Sequence, residues 1–384
     1  MKEISFTKKV IGELVNKEGV DLPFNTTCDV ADVNQDGLQD VVICTRKGKM
    51  AWFENDGSGP GGGTWKRHII NELDHIEAGS DMFDLTGNGY PDIIAGGDNV
   101  IKKLYWVENT DNPEEKWPIH LIYESDYNKF HGVMVGDVTH DGRNSLVFWN
   151  QGKASLNWVP LPSDPAVSPW PGIKQIAAGK KVDGLPEEGL AVGDIDGDGK
   201  NELVAGTCWY KYKGKENKWE SHKFAEDYIT TKVEVGDIDG DGQLEIVLSE
   251  GDACIYTKPE GGKLAWFKPR EDITDLWEEH IVDENLKDPH SLQLGDICKK
   301  GRVDIFAGEI GVKERYEEDP PRMLVYENDG KGNFKTHVVD RGTGTHEAKL
   351  ADMRNQGVLD IIGKPLHGEE KWKVHVWFND LAEK

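Results

Sequence analysis

The stretch Val192-Gly-Asp-Ile-Asp-Gly-Asp-Gly-Lys-Asn-Glu-Leu-Val204 returns 43 residues later as Val235-Gly-Asp-Ile-Asp-Gly-Asp-Gly-Gln-Leu-Glu-Ile-Val247. Each reads as an apolar run, an aspartate, an acidic turn containing glycine, and a second apolar run. Aligned on the leading aspartate, seven copies fall at Asp32, Asp84, Asp137, Asp194, Asp237, Asp296 and Asp352, spaced 43 to 59 residues apart. Self-similarity at a period of tens of residues marks a ring or array of equivalent units.

Each unit holds four strand-like runs separated by turn residues. In the first unit these are Thr26–Val33, Asp40–Arg46, Lys49–Glu54 and Trp65–Asn71, named A to D. Strand A reads as the most continuously apolar, as expected of the strand nearest a shared axis. Strand C carries an aromatic in most copies: Trp52, Trp106, Trp158, Trp266, Tyr326 and Trp377. Strand D repeats a histidine at one place, giving His68, His120, His222, His280 and His337, which points to a structural role. Four-stranded antiparallel units repeated radially predict an all-β chain folded as a seven-bladed β-propeller.

The chain ends favour closure. The seventh unit supplies A, B and C and stops after Trp377-Phe-Asn-Asp380, whereas Phe6-Thr-Lys-Lys-Val-Ile11 matches the strand D pattern. The N-terminal strand is therefore expected to complete the last blade. This hides a sheet edge and makes residues 1–384 one domain.

With 37% apolar and 9% aromatic residues, the chain can bury a large core, and its 44 glycines suit many tight turns. The net charge of −25 disfavours nucleic acid as a partner. No run of 18 apolar residues exists, so no membrane span is expected. The N-terminal segment is too polar for a signal peptide and reads as a blade strand, so a secreted or periplasmic protein with its signal removed is expected. A monomer is expected too. Cys28, Cys44, Cys208, Cys254 and Cys298 show no metal spacing, and buried free thiols are the expected state.

Carboxylates at alternate positions around a tight turn aim several oxygens at one centre, which suits Ca²⁺. Asp194, Asp196, Asp198 and Glu202 form one such set, and Asp237, Asp239, Asp241 and Glu245 a second. Asp32, Asn34, Asp36 and Asp40 are a near match and a third candidate. The sixth and seventh copies place Lys300 and Arg354 where a ligand would stand, so a side-chain cation is expected in place of the metal there.

This D-x-D-x-D-G-x-x-[DE] turn followed by an apolar strand resembles the FG-GAP or VCBS repeat of integrin-type propellers. The resemblance covers nearly the whole chain and implies the fold. Such propellers serve as adhesion modules, lectins and enzymes, so it does not by itself imply a function. Among enzymes the arrangement is similar to seven-bladed carbohydrate lyases and to the propeller part of aldos-2-ulose dehydratase.

The acidic turns join A to B and so share one face of the disc. The opposite face carries the mouths of the A strands. Six positions before each repeat aspartate the sequence reads Thr26, Ala78, His131, Glu188, Thr231, His290 and His346. Clustered titratable groups in a cleft are site candidates. Lys232 and Glu347 flank this ring, and the loops between B and C add Glu309, Lys364 and His367. Trp209 and Tyr210 suit either stacking on a sugar or core packing.

The expected site is thus His131, Glu188, Lys232, His290, Glu309, His346 and His367, on a carbohydrate ligand. β-Elimination on an acidic or oxidised sugar needs a base, an acid and neutralisation of developing charge. His131 is the candidate base, because imidazole titrates near neutral pH. A further divalent metal at the axis is expected on His290 and His346 with Glu309 or His367. The alternative is a non-catalytic lectin-like or adhesion propeller binding glycan or protein.

Overall fold

The computed structural model describes residues 3–14, 27–179, 181–182, 185–214, 218–313 and 317–382. Blade 1 pairs A (Asp29–Ala31), B (Asp40–Ile43), C (Met50–Glu54) and D (Lys66–Asn71). Blade 2 runs Ile76–Phe83, Asp92–Gly97, Lys103–Val107 and Ile119–Glu124. Blade 3 runs Phe130–Gly136, Ser145–Asn150, Ser155–Pro160 and Lys174–Ala178. Blade 4 runs Leu190–Gly193, Glu202–Ala205, Cys208–Tyr212 and Trp219–Lys223. Blade 5 runs Thr231–Gly236, Glu245–Glu250, Gly262–Lys268 and Glu278–Leu286. Blade 6 runs Ser291–Gly295, Asp304–Gly308, Arg322–Asn328 and Phe334–Arg341. Blade 7 takes Lys349–Ala351, Asp360–Gly363 and Lys373–Asn379, and its fourth strand is Phe6–Glu13 from the N-terminus.

Phe6 lies opposite Asn379 and Glu13 opposite Lys373, so the first strand of the chain seals the last blade. Each A strand lies beside the A strand of the next blade, from the first round to the seventh and back to the first. The protein is a closed seven-bladed β-propeller.

The repeat aspartate builds the turn. In all seven blades its carboxylate accepts the backbone N–H five residues on, at 2.5–3.2 Å. That fifth residue is always glycine with φ between 66° and 91°. A side chain is strained in this left-handed region, so Asp and Gly recur as a pair. The carboxylate that opens strand B holds the same turn from below. Asp40, Asp92, Glu202, Glu245, Asp304 and Asp360 accept the N–H of Val33, Leu85, Ile195, Ile238, Cys298 and Met353.

Apolar side chains form seven layers, one between each pair of neighbouring blades. Buried asparagines stitch blades together. Asn55 Nδ2 donates to Met353 O, Asn109 to Val33 O, Asn328 to Ile238 O and Asn379 to Ile297 O, each at 2.7–2.9 Å. The outer histidines are structural, as their periodicity implies. His68, His120, His222 and His280 stack on Trp52, Trp106, Trp209 and Trp266 with ring centroids 4.0–4.2 Å apart.

One expectation needs correction. Strand B, not strand A, is the most continuously buried in each blade. Seven blades do not pack their A strands to the axis, and the A strands of blades 1, 2, 5, 6 and 7 place Asp29, Asp81, Glu234, Gln293 and Lys349 against cavities there. All five cysteines are free, as expected.

Deleting residues 3–12 removes the strand that seals blade 7 and uncovers the apolar layer shared with blade 1. Thermal denaturation should then lose its cooperative transition for the whole ring. Retention of the wild-type melting profile would mean that the seam does not hold the ring shut.

Candidate functional site

The mouths of the A strands bring the ring residues together at the axis. His131 lies at the start of strand A of blade 3, while Glu188, His290 and His346 precede strand A of blades 4, 6 and 7. Glu188 Oε2 stands 3.4 Å from His131 Nε2, 3.4 Å from His290 Nε2 and 3.4 Å from Lys232 Nζ. Glu188 Oε1 accepts Gln151 Nε2 at 2.8 Å. Lys232 Nζ donates to Glu347 Oε1 at 2.7 Å, and His290 Nδ1 lies 3.1 Å from the same oxygen. Asp252 Oδ1 stands 3.9 Å from His290 Nε2. His131, Glu188 and His290 are almost fully buried, whereas the side chains of Lys232, Glu347 and Asp252 keep 12–16% of their surface.

Local backbone makes room for this. The residues after Ala78, His131 and Glu188 are Gly79, Gly132 and Gly189, all with positive φ. A Cβ on Gly79 would meet Gly132 N at 2.5 Å, and one on Gly189 would meet Val233 N at 2.8 Å. On the other side of the axis the equivalent positions are Lys232, Ser291 and Glu347. Glu347 adopts φ 57°. Left-handed backbone at a non-glycine residue costs on the order of 1–3 kcal/mol and gathers at functional sites.

The electrostatics are strongly perturbed. Burial pushes His131 and His346 well below the usual imidazole range, so both are neutral. Burial would also lower His290, but Asp252, Glu188 and Glu347 outweigh it and raise the ring to about 9. Burial alone would raise Glu188 and Glu347, yet the cations around them hold both well below the ordinary carboxylate range. Burial raises Asp252, with His290 as the main opposing charge. Charges this deep cost several kcal/mol each in desolvation unless closely paired.

Other expected members lie elsewhere. Thr26 is outside the described residues. Glu309 is buried, but its carboxylate takes Arg322 Nη2 at 2.6 Å and the N–H groups of Lys287 and Arg322, so it braces a loop. His367 is half-buried and does not join the convergent ligand atoms. The His290 and His346 rings stack 4.3 Å apart and inclined by only 17°. Lone pairs lie in the ring plane, so two nearly parallel rings do not aim at one ion, although their atoms and Glu347 lie within 4.8 Å. His131 does not stand apart from the others across an open pore. Its ring centre is 5.7 Å from that of His290. Trp209 and Tyr210 are core residues.

Two groups of residues escaped the sequence reading. Asp252 sits after strand B of blade 5, and Lys129 and Tyr256 feel its charge. Deeper along the axis, Asp29, Asp81, Glu234, Gln293 and Lys349 line cavities of about 300 and 110 Å³. Each lies three positions before its repeat aspartate, so the repeat frame that found the ring also contains this tier.

The acidic turns occupy the opposite face. Among the described residues, only those of blades 4 and 5 gather three carboxylates: Asp194, Asp196 and Glu202, then Asp237, Asp239 and Glu245. Glu202 Oε1, Glu245 Oε1, Asp194 Oδ1 and Asp196 Oδ1 are buried without a hydrogen-bond partner. These residues fit a hard cation. Lys211 and Lys268, from strand C, reach Asp198 and Asp241 at 2.7 Å and also touch Asp196 and Asp239. Blade 1 differs, because both oxygens of Asp40 are taken by the N–H groups of Val33 and Asn55. Asp32, Asn34 and Asp36 likewise bond within their own turn. In blade 7, Arg354 Nη2 donates to Asp360 at 2.7 Å, a side-chain cation in the acidic turn. Lys300 turns away to Glu327.

A family model described as the FG-GAP-like repeat matches residues 32–95 and 194–248. The chain carries FG-GAP-like repeats. Two solved structures of BBS1N in complex with ARL6DN are similar in fold. The lead-soaked crystal gives a TM-score of 0.58 at 10% identity, covering 95% of this chain and 96% of that one. The mercury-soaked crystal gives 0.57 at 9% identity, covering 96% of each. A search of curated proteins finds no match to the sequence. No helix among the described residues is long and apolar enough to cross a membrane.

Glu188→Ala would leave the His290 and Lys232 cations short of a counter-charge in a buried setting. A loss of about 3–5 kcal/mol is expected, read as a lower melting temperature and denaturant midpoint. An unchanged midpoint would show that these charges are compensated elsewhere.

Proposed function

We propose that the axial mouth is the active site of a carbohydrate lyase that acts by β-elimination on an acidic or oxidised sugar. The observation that carries this reading is the division of the cluster. His131, Glu188 and His290 form a buried floor, while Lys232, Glu347 and Asp252 keep exposure at its edge. An ammonium and a carboxylate at the mouth suit neutralisation of developing charge and removal of a carbon-bound proton. Asp252 is assigned the base, because burial raises its carboxyl toward the operating range. Lys232 is assigned the substrate's charged group. Tyr256, on the short helix Ala253–Tyr256 after Asp252, is assigned the proton donor to the leaving oxygen. This moves the base from His131, whose burial makes it a weak acceptor and whose Nε2 faces Glu188.

Asp252→Asn and Lys232→Met should each lower turnover at least about 100-fold on uronate-containing glycans. The measurement is the new absorbance of an unsaturated product. Wild-type protein that cleaves none of them but binds some supports the lectin-like alternative. A protein-binding propeller is the second reading, favoured by the fold shared with BBS1N, whose structures hold ARL6DN. Exposed Val100, Tyr127, Ile255 and Tyr256, in loops of the site face, would serve it.

We further propose structural Ca²⁺ in the turns of blades 4 and 5, held by Asp194, Asp196, Asp198 and Glu202 and by Asp237, Asp239, Asp241 and Glu245. Lysine and the ion would then compete for one set of oxygens. Excess chelator should lower the melting temperature, since a ligand bound only to the folded state stabilises it. Lys211→Met and Lys268→Met should enlarge that calcium-dependent shift. A melting temperature indifferent to calcium in both wild type and variants would refute it.

A further inference from the structure

We infer that His131 Nε2, Glu188 Oε2 and His290 Nε2 form the binding site of one divalent transition-metal ion, of the zinc, iron or manganese class, on the propeller axis. The three atoms lie within 4.8 Å of one another, on residues that are at most 3% exposed. Both imidazole nitrogens stand 3.4 Å from the carboxylate oxygen. A hydrogen bond between an imidazolium and a carboxylate would draw them to about 2.7–2.9 Å. In a tetrahedral site with bonds of about 2.1 Å, neighbouring ligand atoms stand about 3.4 Å apart. The spacing is that of ligands around a shared centre.

Ring orientation agrees. The His131 and His290 planes are inclined by 65° with centres 5.7 Å apart, so their in-plane lone pairs can converge. The stacked His290 and His346 rings lack this property. Glu188 Oε2, the proposed ligand oxygen, is a buried atom with no hydrogen-bond partner.

Part of a metal centre's surrounding shell is in place, at His290 and Glu188 but not at His131 Nδ1. A ligating histidine is oriented by a carboxylate at its other nitrogen, and a ligating carboxylate by a donor at its other oxygen. Glu347 Oε1 stands 3.1 Å from His290 Nδ1, and Gln151 Nε2 donates to Glu188 Oε1 at 2.8 Å. Lys232 Nζ donates to Glu347 at 2.7 Å and stands 3.4 Å from Glu188 Oε2. Asp252 Oδ1 stands 3.9 Å from the same His290 Nε2. Two imidazoles and one carboxylate select a borderline transition ion over Ca²⁺, which takes oxygen ligands. If the elimination reading holds, on which this sentence alone rests, the ion would polarise the substrate's carboxylate beside Lys232.

The test is titration of the whole, metal-stripped chain with Co²⁺ and Zn²⁺ in excess Ca²⁺, which blocks the acidic turns. One Co²⁺ per chain should bind with visible absorption bands and be displaced by one Zn²⁺. His131→Ala and His290→Ala should abolish the bands. Gln151→Ala should weaken binding about 10–100-fold, with circular dichroism confirming the fold. His346→Ala, and His68→Ala on the rim, should bind as wild type. Absence of stoichiometric binding in wild type overturns the inference, and so does binding that survives in both His131→Ala and His290→Ala. The readout is independent of turnover. Metal bound without glycan cleavage refutes the lyase reading alone, and cleavage without metal refutes this inference alone.

Discussion

Every blade buries both of its faces against neighbours, and this requirement governs the molecule. The apolar side chains form seven interblade layers, each shared by two sheets. An isolated four-stranded sheet would leave two apolar faces in water, at about 25 cal/mol for each Å² exposed. A ring in which each layer depends on the next is complete only when the last meets the first. The N-terminal strand meets that condition with few residues. It pairs with Lys373–Asn379 and adds Ile11 to the layer that blades 7 and 1 share.

The same closure creates the site. Seven radial sheets cannot pack to the axis, so the inner face of each A strand is left over a channel. Hydrophobic residues gain nothing there, and polar residues are tolerated in tiers. The upper tier concentrates three histidines, two carboxylates and a lysine. The lower tier places Lys349 near Asp29 and Asp81, whose carboxylates raise it against the burial that would lower it. A bulge between His131 and Val133 changes the register of strand A between these levels.

Much of this was legible in the chain. The Asp-to-Gly turn repeats because one carboxylate must accept one N–H from a residue in left-handed conformation, and such a local rule leaves a regular trace. The periodic outer histidines are legible as structure for the same reason: His68, His120, His222 and His280 stack on strand C tryptophans, and His337 pairs with Glu327. Ring position alone was enough to gather His131, Glu188, Lys232, His290 and His346. Glu309 and His367 were harder, because loop residues carry no register. Glu309 is spent on Arg322, a partner that only the folded loop supplies. Asp252 was invisible for the same reason, lying just past strand B in a loop whose course no repeat dictates. The reading of strand A as the apolar strand failed because it treated nearness to the axis as burial, whereas the axis of seven blades is open.

The acidic turns show how one methylene changes what a turn can hold. Where the carboxylate opening strand B is aspartate, its two oxygens reach two N–H groups. Asp40, Asp92, Asp304 and Asp360 each bond the turn with one oxygen and the N–H of Asn55, Asn109, Asn328 or Asn379 with the other. The turn is closed by the protein itself, and the asparagine side chain is free to stitch the neighbouring blade. Where that carboxylate is glutamate, the longer side chain bonds the turn with one oxygen and leaves the second inside it, as in Glu202 and Glu245. At the place of Asn109 blade 5 has Pro269, which has no N–H to offer, and blade 4 has Tyr212. In blade 4 Lys211 from strand C stands 3.5 Å from the open oxygen of Glu202, and in blade 5 Lys268 reaches Asp239 and Asp241 of the same turn. Aspartate with asparagine thus makes a turn whose carboxylate is fully hydrogen-bonded, and glutamate with lysine makes one that leaves a carboxylate oxygen without a hydrogen bond. This pairing, readable residue by residue in the sequence, separates the turns closed by the protein's own N–H groups from those with carboxylate oxygens left open.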